Sequence, residues 1–281
     1  MMNDSKSIRI HYGLRAVILL AFALYIGHLV QQDALNYYVA PKLARWVKLC
    51  PVPLVLMAFS LVVQALFGKG SVLCDCDHRL PRSGHRSVVL YGLFLFPLLL
   101  GFLLPDRALG SMAVAKKGIS LSYPSSDPYQ EEFAILAQKL FAQPVIPVYP
   151  AIFSETFGAI DIYKHQFEGK EVAVAGFLYP TEAGSANNTF AVSRFLVQCC
   201  TADAAPFGIM VDPGKKISLP ADTWIKVRGK LHIVHYKGQE IMQITAESIT
   251  PISQPATPYI YTSTDSIAAW DQLQTAAKTA K

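Results

Sequence analysis

Between Ser71 and His85 the chain reads SVLCDCDHRLPRSGH, which sets Cys74, Cys76, His78 and His85 within a dozen residues. Thiolate and imidazole are the ligands that zinc takes in tetrahedral sites, and they also suit copper. The C-x-C spacing is tighter than a C-x2-C knuckle and does not fix a geometry. Pro81 and Gly84 would let the loop fold back and bring His85 near Cys74. Such a site would select deprotonated thiols. The alternative is a solvated loop whose arginines meet lipid headgroups.

A second group with chemical potential is FLVQCCTADAAPFGIMV, which holds Cys199, Cys200 and Asp203. Neighbouring residues of a strand point to opposite faces. If strand geometry runs to Cys200, one cysteine faces inward and the other outward, near Asp203. Cys200 and Asp203 are then candidates for a ligand site or second metal site. The competing reading is two buried cysteines acting as small hydrophobes. His28 is a third candidate, because it sits in an apolar stretch where an ionisable side chain is costly in lipid. The alternative there is a neutral imidazole snorkelling beside Gln31 and Gln32.

Much of what must position these residues is apolar. The chain has 281 residues, 52% hydrophobic and 16% charged, where soluble domains carry about a quarter charged. The excess lies before residue 105. Leu14–Val30, Val52–Phe67 and Val88–Leu104 each approach the length of a membrane-spanning helix. No small-residue cleavage site follows Val30, so the first is not read as a signal peptide. Residues 1–105 are therefore expected to form a membrane anchor of three transmembrane helices, with the Cys/His loop at 71–87. Lys6, Arg9, Arg15, Lys69, Arg79, Arg82 and Arg86 make seven basic residues on one side. Lys42, Arg45, Lys48, Arg107, Lys116 and Lys117 make six on the other. The excess favours a cytoplasmic N-terminus and an extracytoplasmic C-terminal domain.

After residue 105 the pattern is that of a water-soluble domain. Residues 106–150 read as linker and one helix, DPYQEEFAILAQKLF, with Asp127 as cap. SETFGAIDIYKHQFEGK suggests a second helix capped by Ser154 and stopped at Gly169. From Lys170 the period changes to two. Glu171–Tyr179, Thr189–Gln198, Phe207–Val211, Thr223–Val234 and Glu240–Ile252 read as five strands. With Gly229 inside a long strand, they fit a five-stranded OB-like barrel over 151–261, followed by a C-terminal helix or tail at 262–281. OB barrels often bind single-stranded nucleic acid, which needs a basic groove. Here nine basic residues between Asp161 and Tyr261 face nine acidic ones, which excludes nucleic acid on electrostatic grounds.

The motifs YIGHLV, FPLLLGFLLP, AKKG, FEGKEVAVAGFLY, RFLVQCCTADAAPFGIMV, DTWIKVRGKL and PATPYIY together resemble the YcgQ-like family of bacterial membrane proteins, described as permease subunits. The resemblance covers nearly the whole chain. It implies a multispanning permease partner and an association with transition metals, zinc above all. It matches Cys200 and Asp203 to positions the family requires and leaves Cys199 dispensable. Family members carry a longer His/Asp run in the loop than this chain does. The expectation is an accessory subunit of a membrane permease complex, without enzymatic activity, whose barrel binds or gates. The rivals are a membrane-tethered thiol-redox protein, which would lack C-x-x-C, and an anchored scaffold without a ligand.

Overall fold

The computed structural model describes residues 2–67, 84–123, 130–181 and 188–279. The chain forms two compact units, 1–107 and 108–281.

The first unit is helical. α1 runs Met2–Gln31, and a 3-10 turn Ala34–Tyr37 leads to α2, Pro41–Leu49. α3 is Pro51–Phe67 and α4 is Gly84–Leu103. Arg9–Gln31, Pro41–Phe67 and Gly84–Leu103 are each long and apolar enough to cross a membrane. The first starts earlier than the apolar run alone suggests, because helical geometry continues through the polar residues before Leu14. The second begins with α2, where Lys42, Arg45 and Lys48 share a short helix with exposed Trp46. This is the composition of an interfacial segment, basic with an aromatic anchor. α3 and α4 leave most of their large apolar side chains exposed, among them Leu56, Phe59, Leu66, Leu93 and Phe96. Helices apolar all round belong in lipid or against other helices. α1 packs on both. Gly101 of α4 lies against the ring of Tyr25, where a Cβ would meet it at 2.7 Å, so the small residue allows the close approach. Buried His11 sets its Nδ1 2.8 Å from the hydroxyl of Tyr91, tying α1 to α4.

The second unit is a closed barrel with helices around it. α5 is Ser111–Lys117 and α6 is Gln130–Phe141. A short strand β1, Val145–Pro147, and a 3-10 turn Pro150–Ile152 lead into α7, Phe153–Ile162, and α8, Lys164–Phe167. The strands β2 (Glu171–Pro180), β3 (Phe190–Leu196), β4 (Ala205–Asp212), β5 (Trp224–Tyr236) and β6 (Gln239–Pro251) follow, and α9, Ser266–Thr279, closes the chain. The ring is β2-β3-β4-β6-β5 and back to β2, with β4 and β6 parallel and the other pairs antiparallel. This is the five-stranded Greek-key barrel expected from the alternation. β1 adds a sixth strand, parallel to the start of β2. It lies in the stretch read as linker. The register slips between Arg228 and Gly229, and a Cβ at Gly229 would stand 2.1 Å from the Thr245 carbonyl oxygen. Glycine there lets β5 bend onto β6.

The barrel core includes Val172, Val192, Ile209, Ile225, Leu231 and Ile244, and α7 adds Phe153, Phe157 and Ile160 to it. α7 begins one residue before Ser154. Pro150 opens the preceding turn, and Ser154 itself is buried and donates to Glu155 at 2.9 Å. The helix also breaks at Tyr163 instead of running on to Gly169. Arg194, 1% exposed, donates to the carbonyls of Thr257 at 2.6 Å and Pro258 at 3.3 Å. The backbones of Phe195 and Val197 bond Ile260. The PATPYIY stretch is thus laid beside the end of β3.

Candidate functional site

β3 stops at Leu196, where Ile260 bridges to it. The chain then turns through Gln198–Ala204 before β4 begins. Strand geometry therefore does not run to either cysteine, and the opposite-face argument that depended on it does not apply. Their sulfurs are 3.7 Å apart.

Asp203 organises the turn. Its Oδ1 accepts the amide of Gln198 at 3.1 Å, and its Oδ2 accepts those of Cys199 at 2.7 Å and Cys200 at 3.4 Å. Its own amide donates to the Cys200 carbonyl at 3.0 Å. The result gathers two thiols and a carboxylate whose ligand atoms all lie within 4.8 Å of one another. Cys199 and Asp203 are exposed and Cys200 is half-buried. Hydrogen bonding to Asp203, then to Cys200, pushes the Cys199 thiol up to about 11. For Asp203 desolvation acts upward, but the Cys199 thiol and the three amides outweigh it and hold the carboxyl below its ordinary value. The hydrogen bond to Asp203 favours the proton on the Cys199 sulfur. A cation would have to displace it, so binding at this turn releases protons and strengthens with pH.

The donor set fits a thiophilic divalent ion. Two thiolates and one carboxylate oxygen could supply three ligands and leave a fourth position for water or an incoming donor. Lys117, at the end of α5, holds the turn from behind. Its ammonium donates to the carbonyls of Ala202 at 3.1 Å and Ala204 at 2.6 Å, on both sides of Asp203. It lies in the AKKG motif, but 85 residues separate it from the turn and no local pattern joins them.

The other sequence-based candidates fall elsewhere. Cys74, Cys76 and His78 lie outside the described residues. His85 is exposed in the first turn of α4. His28 is exposed on α1, its ring 5.9 Å from that of Phe102. Cys200 and Asp203 come together, and Cys199 joins them.

Comparison with known proteins places the chain. Residues 14–120 match the DUF1980 N-terminal domain and residues 123–262 match the DUF1980 C-terminal domain. UPF0703 protein YcgQ of Bacillus subtilis (strain 168) is 26% identical over 293 aligned positions, covering 88% of this chain and 98% of that protein. No solved structure matches. The chain belongs to the YcgQ-like, DUF1980 family.

Proposed function

We propose that this DUF1980 member is an accessory subunit of a membrane permease complex whose barrel receives or gates a thiophilic divalent cation, zinc, as cargo. The observation that carries the reading is the Cys199–Cys200–Asp203 turn, with three suitable donors within 4.8 Å at the barrel surface. Two further observations agree with it. Three helices are long and apolar enough to span a bilayer. Two of them leave apolar side chains exposed on many sides, as helices do that meet lipid or the helices of a multispanning partner. The basic-residue excess favours a barrel outside the cytoplasm, where the turn would meet the cation before or after its passage. The Cys74–His85 loop would then be a second donor set on the cytoplasmic side.

The partner is tested by mild-detergent capture of the full chain from its native membrane. A multispanning transport protein should co-purify in near-stoichiometric amount, and Cys200→Ser should keep that partner while losing function in a deletion strain. Recovery of the chain alone, with membranes prepared both with and without added zinc, would contradict the subunit reading.

A further inference from the structure

Three of the chain's seven histidines lie on two neighbouring segments of the barrel unit, beside two glutamates. We propose that His165, His235 and Glu240 form a separate imidazole–carboxylate site for a borderline divalent cation such as zinc. This goes beyond the thiol turn and stands on its own side chains, so it holds whether or not Cys199 and Cys200 take a metal.

Glu240 is the centre. It is the second residue of β6 and the ladder partner of His235, the last but one of β5. Its Oε1 stands 3.7 Å from His235 Nε2, and its Oε2 stands 3.9 Å from His165 Nε2 on α8. Two ligands each about 2.0 Å from a tetrahedral ion are ~3.3 Å apart, so both imidazoles already stand near ligand spacing from the carboxylate. Both present the same ring nitrogen. His165 and His235 are 75% and 78% exposed and approach different oxygens of Glu240, so sharing one ion requires these side chains to rotate toward each other.

The backbone beneath is fixed. Glu168, at the end of α8, accepts the Ile233 amide at 2.8 Å and stands 2.8 Å from His232 Nδ1. That pair fastens α8 to β5 and holds His165 over the hairpin. Lys164 donates to the Glu240 carbonyl at 3.1 Å and stands 3.8 Å from Oε2. Its charge competes with a cation and keeps the site weak and exchangeable. Two nitrogens and a carboxylate suit zinc, copper or nickel and not the all-oxygen preference of magnesium or calcium.

Strand polarity gives the site its place. β3 ends and β4 starts at the same end of the barrel where β5 ends and β6 starts. The imidazole site and the thiol turn therefore share one end of the barrel.

The test uses the full chain in detergent with Cys50, Cys74, Cys76, Cys199 and Cys200 all replaced by Ser. Diethyl pyrocarbonate modifies free imidazoles, and peptide mass spectrometry reads each histidine separately. Added zinc should slow modification of His165 and His235 by at least about fivefold, since a ring nitrogen bound to metal is not free to react. Glu240→Gln should remove the protection of both, and His165→Ala should remove that of His235, with the melting temperature little changed because the imidazoles are exposed and the contacts of the Glu240 carboxylate are surface ion pairs. Protection of neither histidine, or protection that persists in Glu240→Gln, would overturn the site.

Discussion

At the scale of single residues, Asp203 does most of the work in the turn. It satisfies three consecutive amides and shares the proton of Cys199. Asp203→Asn removes the charge that holds this proton on sulfur, so the Cys199 pKa should fall toward that of an ordinary thiol. At pH 8–9, iodoacetamide labelling of Cys199 should speed up by roughly fivefold or more, since the thiolate is the reacting form. An unchanged or slower rate, read by peptide mapping, would show that Asp203 does not control the thiol. The residue types of this site were legible in the sequence, and Cys200 with Asp203 was singled out there. The role of Cys199 was not. Its position follows from the end of β3, which is set by contact with Ile260, some sixty residues away. His165 and Glu240 were equally hidden, for the same reason of sequence distance.

At the scale of elements, the five barrel strands were located in the sequence to within a residue or two, by alternation where one face is solvated, as in β5, and by a short apolar run at β4, which is buried on both faces. The start of α7 was less legible. Ser154 has the chemistry of a cap, but burial of Phe153 and the turn at Pro150 draw the helix start forward. β1 was missed because three residues carry no period. α7 also holds a buried acid. Glu155 accepts from Ser263 at 2.6 Å and from Ser154, yet desolvation raises its pKa against those bonds. A carboxyl with a folded-state pKa above its unfolded value binds its proton more tightly in the fold. The stability it adds is full below the ordinary glutamate pKa and is lost as pH rises through the raised value. Glu155→Gln keeps an acceptor for Ser263 without the charge. At pH 8 it should raise the melting temperature by about 2–4 °C, the shift that ~1 kcal/mol makes in a domain of this size. The gain should shrink toward pH 4. A lower melting temperature at pH 8 would mean that the charged form is the stabilising one.

For the whole molecule, composition alone separated an apolar N-terminal part from a water-soluble C-terminal part, because the excess of apolar residues ends near residue 105. Sidedness rests on a thinner signal, the seven-to-six count of basic residues. In a background free of native cysteines, a membrane-impermeant maleimide added to intact cells should label a cysteine placed at Ser263 and miss one at Ser5. The reverse pattern would put the barrel in the cytoplasm and reverse the direction in which the turn meets its cation. The central claim is that the turn binds a thiophilic cation, and cobalt tests it most directly, because cobalt substitutes for zinc and its thiolate complexes absorb in the near ultraviolet. With Cys50, Cys74 and Cys76 replaced by Ser, the full chain titrated with Co(II) should develop this charge-transfer band. The band should strengthen from pH 6.5 to 8 as protons leave the thiols, and excess zinc should bleach it. It should be absent from the same protein carrying Cys199→Ser and Cys200→Ser. Failure of the band to appear at pH 8, or a band of equal strength without those two thiols, would contradict the account.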